Sequence, residues 1–94
     1  MSASHSLYVV AYDVSDDRER AHVDKVLTGF GFRAQKSVFE CRMSRRTRER
    51  LREALAALDL RSGYVLAWRA AARERDLAIG KAPEMADLDA AFVV

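Results

Sequence analysis

The sequence predicts one small domain in which strands and helices alternate and pack as an α/β or α+β sandwich. Three observations carry this. Apolar, β-prone runs recur at residues 7–12, 32–41 and 64–68. Between them lie two segments with apolar residues at helical spacing: Val23, Val26, Leu27 and Phe30, then Leu51, Leu55 and Leu58. And 94 residues leave no room for a second domain.

The first strand is Leu7-Tyr8-Val9-Val10-Ala11-Tyr12. Being apolar on consecutive positions, it reads as a strand covered on both faces or as a central strand. The short polar segment 1–6 before it is expected to be a disordered extension of a single domain spanning 7–94. Ser15 or Asp16 can cap the helix that follows, and Glu19 stands three residues after Asp16 as in a capping box. This helix is expected to run to about Thr28, with Gly29 and Gly31 as its stop. Residues 32–41 contain no Gly, Pro or Asn, so periodicity leaves open whether they form one strand or two. Ser44 opens the second helix. Gly63 starts the next strand, residues 70–76 are ambiguous, and Leu77-Ala78-Ile79 reads as a short strand before Gly80. The chain closes on Ala91-Phe92-Val93-Val94, a run suited to adding to a sheet edge, its own or a partner's.

Composition excludes several classes. No apolar run approaches the ~18–20 residues that cross a bilayer. Residues 1–6 have neither the basic nor the apolar region of a secretion signal. The single cysteine, Cys41, allows no intrachain disulfide and makes a thiolate zinc site implausible. A composition that is 50% apolar argues against disorder. The expectation is a cytoplasmic domain with no membrane association. A chain this small buries roughly 64% of the surface its unfolded form exposes, so further burial in an oligomer would stabilise it.

The net charge of +2 conceals an imbalance, because 13 of the 16 basic residues are arginine. Alanine-rich, GC-rich coding explains such a count as readily as phosphate binding, so position must decide. Arg18 and Arg20 flank the first turn of the first helix, and Arg33 and Lys36 precede Val38-Phe39. Six arginines between Arg42 and Arg52 face one acid, Glu49. Arg42, Arg45, Arg46 and Arg48 therefore suit a phosphate backbone, while Arg50 and Arg52 read as a solvated face paired with Glu49 and Glu53. Asp13 directly follows the first strand and precedes a helix, where sheets with crossover helices place ligand sites. The plainer reading, a helix or turn cap, stands ahead on position alone. His22 reads as surface, Cys41 as a buried apolar residue, and Trp68 as core or interface.

Tyr8-Val9-Val10-Ala11-Tyr12-Asp13-Val14-Ser15-Asp16-Asp17-Arg18 resembles the opening of the CRISPR-associated protein 2 family. Arg33-Ala34-Gln35-Lys36-Ser37-Val38-Phe39-Glu40 resembles its second signature. Ile79-Gly80-Lys81-Ala82-Pro83 and the terminal Phe92-Val93-Val94 are similar to its closing elements. The resemblance implies an α+β, ferredoxin-like βαββαβ sandwich, with residues 32–42 holding two strands and an extra C-terminal strand pairing across a homodimer.

It further implies a metal-dependent endonuclease acting on single-stranded RNA or double-stranded DNA, and a part in spacer acquisition with a CRISPR integrase subunit. On that template Asp13 from both chains holds Mg²⁺ (or Mn²⁺), and Tyr12, Arg20, Arg33 and Phe39 match positions implicated in activity or substrate binding. Two departures stand out: His22 occupies a position that is arginine in some members, and Lys36 replaces a common aromatic residue. A non-catalytic dimeric scaffold for duplex DNA is the alternative, and an RNA interferase on the same fold is a third.

Overall fold

The computed structural model describes residues 4–70 and 75–81. Its elements follow the order β1 (Ser6–Val14), α1 (Asp17–Thr28), β2 (Phe32–Gln35), β3 (Val38–Met43), α2 (Arg45–Ala56), β4 (Gly63–Arg69) and β5 (Arg75–Gly80). They form one sheet ordered β2-β3-β1-β4-β5, with every neighbouring pair antiparallel. This is the expected βαββαβ arrangement plus a fifth strand, which pairs with β4 of the same chain. The terminal run 91–94 lies outside the described residues, as does part of the extension; β1 itself begins at Ser6, one residue before the boundary drawn from the sequence.

β1 is the central strand, as its consecutive apolar residues predict. Its side chains alternate between two faces. Tyr8, Val10, Tyr12 and Val14 face the helices, where they form the core with Val23 and Leu27 of α1 and Leu51 and Leu55 of α2. Phe39, Cys41 and Met43 of β3, with Val65 and Ala67 of β4, complete that layer. The opposite face carries a smaller cluster, Leu66 and Trp68 packed with Ala11 and Tyr64.

The helix starts conform to their capping residues. Asp16 accepts from the Glu19 amide at 2.9 Å, and Ser44 accepts from the Thr47 amide at 3.2 Å. The reciprocal half of the capping box differs from expectation. The Glu19 carboxylate points instead to the α2–β4 loop, accepting from Arg61 N, Ser62 N and Ser62 Oγ at 2.9, 3.0 and 2.6 Å. Ser62 Oγ in turn accepts from the Asp16 amide at 3.0 Å, so a distant serine completes the box.

The helix stop also has a different cause from the one expected. Gly29 is right-handed, at φ −76°, so it provides no left-handed cap. Gly31 is glycine because its backbone crosses β3 closely: an added Cβ would lie 2.2 Å from the Glu40 carbonyl oxygen.

Residues 32–41 resolve into two strands joined at Lys36-Ser37. Two-residue hairpin loops usually need positive φ, hence Asn or Gly. Among the described non-glycine residues only Asp59 has positive φ, so this loop is of another kind. A register shift between Arg33 and Gln35 accompanies it.

Glu19 yields a stability prediction. Hydrogen bonds from Ser62 Oγ and the Arg61 and Ser62 amides hold its pKa below the ordinary 4.5. A group depressed on folding stabilises above its unfolded pKa, and that contribution is lost as pH falls through the folded value. Glu19→Gln should therefore lower the melting temperature at pH 7, with the gap to wild type closing in thermal melts as the pH falls below 4.5 and through the lowered folded value.

Candidate functional site

Period-two alternation sends Tyr12 and Asp13 to opposite faces at the carboxyl end of β1. Asp13 is exposed on the face away from the helices, opposite Tyr64 in the β1–β4 register. Burial and the negative charge of Asp13 raise the pKa of the Tyr64 phenol. β4 reaches this position because Gly63 has no side chain: an added Cβ would sit 1.8 Å from the Asp13 carbonyl oxygen. Gly63 is thus a site residue that sequence reading took only as a strand start.

A cavity of about 330 Å³ opens here, lined by Tyr12, Asp13, Val14, Arg20, Lys36 and Ser37. The Arg20 guanidinium is anchored to the strand–helix loop, donating to the Val14 and Ser15 carbonyl oxygens at 2.9 and 3.2 Å and pairing with Asp17. Arg18 is exposed on the first turn of α1, and Lys36 is exposed in the β2–β3 turn. Asp13 and two cationic residues, Arg20 and Lys36, thus line a space large enough for a phosphate group.

Tyr12, Arg33 and Phe39 are joined behind this cavity by a residue that sequence reading missed. The Asp24 carboxylate, on α1, accepts the Tyr12 phenol on one oxygen and pairs with Arg33 on the other at 3.0 Å. Arg33 also donates to the Lys36 carbonyl oxygen and lies 5.1 Å from the centroid of the Phe39 ring. Phe39 is only 1% exposed, so it acts as a floor for Arg33 and offers no surface to a ligand. Burial first, then the Asp24 hydrogen bond, raises the Tyr12 pKa. Asp24 likewise raises that of Arg33.

The second basic group lies elsewhere. Arg42 pairs with Leu7 in the β1–β3 register, six residues from Asp13 along β1. At ~3.3 Å per residue that is about 20 Å. Arg45 and Arg46 are exposed on the first turn of α2, beyond the same end of β3. Arg48, read from the sequence as a phosphate contact, pairs with Glu49 at 2.9 Å, and Glu49 also takes Arg52 at 3.1 Å, as expected for Arg52 on a charged helix face. The structure does not bring this cluster to Asp13 within one chain.

Metal fit follows from the donors. Among the described residues no three His, Cys, Asp or Glu side chains converge. A lone Asp13 carboxylate suits a hard cation that keeps most of its water, as Mg²⁺ does, and two copies of the chain would supply two. Cys41 is buried, and desolvation pushes its pKa up to about 11, so the thiol has no activated form. His22 is exposed, and no helix among the described residues is long and apolar enough to cross a membrane.

The model for the family of CRISPR associated protein Cas2 matches residues 6–73. The chain belongs to that family. A Cas2-family relative from Thermus thermophilus, named CRISPR-associated endonuclease Cas2 2, is 37% identical over 83 residues, covering 87% of this chain and 92% of its own. A relative from another strain of Thermus thermophilus, named CRISPR-associated endoribonuclease Cas2, is 49% identical over 59 residues, or 63% of each chain. The crystal structure of a hypothetical protein from Thermus thermophilus, TT1823, superposes with a TM-score of 0.69 at 35% identity. That match covers 86% of this chain and all of the other. The Cas2 match spans both signature stretches and every residue of the cavity.

Gly63→Ala is expected to force β4 away from Asp13. Overpacking of this kind costs about 1–3 kcal/mol, to be read as a lower urea midpoint at unchanged slope.

Proposed function

We propose that this Cas2-family chain is an Mg²⁺-dependent endonuclease, with Mn²⁺ as a substitute, that hydrolyses phosphodiester bonds in single-stranded RNA or double-stranded DNA. The observation that carries the reading is Asp13: an exposed carboxylate at a strand end, sharing a cavity with Arg20 and Lys36. The names of the relatives, endonuclease and endoribonuclease, point the same way. Asp13 of each of two protomers would hold the metal. Bound there, Mg²⁺ supplies Lewis acidity toward a phosphate oxygen and a water of lowered pKa.

The chain's own contribution is positioning and charge. Arg20, fixed by two backbone carbonyls, and Lys36, on the turn opposite, offer donors to the phosphate and to the charge that develops on it. Described residues near Asp13 include no histidine, and the tyrosine on the cavity wall has its phenol bound to Asp24 and its pKa raised. The described residues therefore contribute no general base at the cavity, and a metal held there would supply the lowered pKa of the attacking water.

Two copies are needed for two Asp13 carboxylates, and the sheet supports a homodimer. The face carrying Asp13 also carries Phe32, which is 63% exposed, and a second copy would cover it. In this reading the dimer works in spacer acquisition with an integrase subunit.

The alternative, a non-catalytic dimeric scaffold for duplex DNA, draws support from the arginines at the far end of the sheet. Arg42, Arg45 and Arg46 can grip a phosphate backbone without involving Asp13. One experiment separates the two. Asp13→Ala should retain the melting temperature, the dimer and salt-dependent nucleic-acid binding, yet lose at least ~10²-fold of Mg²⁺-dependent cleavage of labelled RNA or duplex DNA. Equal cleavage by both proteins, or none by either, would leave the scaffold reading in its place.

A further inference from the structure

We infer that Asp24 is a positioning residue: through Tyr12 and Arg33 it fixes the Lys36-Ser37 turn that walls the Asp13 cavity, and so sets where a phosphate is held. The inference rests on the nuclease reading for its functional consequence, and on geometry alone for the coupling.

The turn needs such support. Lys36 and Ser37 join β2 to β3 without the positive-φ residues that give a two-residue hairpin its own preference. β2 is short, exposed along its whole length and interrupted by a register shift, so it contributes little stiffness. What holds the turn comes from outside it. The Arg33 guanidinium donates to the Lys36 carbonyl oxygen. The Tyr12 phenol lies 3.5 Å from the same oxygen, and the Tyr12 amide donates to the Ser37 carbonyl oxygen at 3.1 Å.

Asp24 orients both side chains. One carboxylate oxygen takes the Tyr12 phenol, and the other takes Arg33. Its own backbone is set within α1, where Thr28 Oγ1 donates to the Asp24 carbonyl oxygen at 2.7 Å. Helix α1 is packed into the core through Val23, beside Asp24, and Leu27. A rigid helix thus transmits its position to an otherwise underdetermined turn. A carboxylate accepts from both partners and pairs its charge with Arg33, whereas an amide accepts on one atom only and carries no charge. Asp24 touches neither the cavity nor Asp13, so its effect is exerted through Tyr12 and Arg33.

The test compares wild type, Asp24→Asn, Arg33→Gln, the double variant and Asp13→Ala. Backbone ¹⁵N order parameters at Lys36 and Ser37 should fall in Asp24→Asn from about 0.85 toward 0.6, while those in α1 stay high. Cleavage should lose about 10²-fold, chiefly in kcat, because the turn places the phosphate at the reacting geometry. The double variant should be no worse than the worse single one, since both act on the same turn. Tyr12→Phe, which keeps the ring in the core and removes only the hydroxyl, gives a milder form of the same change should Asp24→Asn fold poorly. Unchanged order at Lys36 and Ser37 in folded Asp24→Asn, or additive losses in the double variant, would overturn the inference. Cleavage surviving Asp13→Ala would instead remove the nuclease reading, while the order parameters still decide whether Asp24 holds the turn.

Discussion

Everything at the site depends on β1 being paired on both edges. Its ladder to β3 runs from Ser6 to Ala11 and its ladder to β4 from Tyr8 to Val14, so β1 cannot slip without breaking both. A slip of one residue would also exchange the two faces of the strand. Tyr12 would then leave the helix layer and Asp13 would enter it, placing a carboxylate where Val23 and Leu27 now pack. The cost of burying that charge fixes the register as firmly as the apolar contacts do. Two adjacent residues can therefore have unlike duties, one structural and one facing outward.

Much of the architecture was legible because it rests on local chemistry. Asp16 and Ser44 announce helix starts, and the apolar spacing of Val23, Leu27, Leu51 and Leu55 defines the buried helix faces. What escaped sequence reading rests on groups far apart in the chain. The β2–β3 turn has no turn residue of its own, so only the family resemblance divided residues 32–42 correctly. Gly29 and Gly31 look like a left-handed stop, whereas the decisive constraint at Gly31 is the backbone of β3.

The site was legible in a similar proportion. Asp13 could be found because it ends an apolar strand, and Arg20 and Lys36 because the second signature and the first helix turn bring basic residues near it. Asp24 carries no such mark: it looks like one more acid on an amphipathic helix, and its two partners lie 12 and 9 positions away. The arginines from Arg42 to Arg48 were legible as a cluster but not as a location. Antiparallel pairing sends the end of β3 toward the start of β1, away from Asp13.

The Ser62 hydroxyl has a consequence for how the chain reaches this structure. It donates to Glu19 and accepts from the Asp16 amide across more than 40 positions of sequence. The first turn of α1 consequently cannot satisfy all its donors from its own neighbourhood and gains its last partner only when the loop before β4 arrives. Helix α1 is in this sense proofread by β4. A chain that formed the helix but misplaced the fourth strand would leave the helix start incomplete, so local order and global topology are completed together.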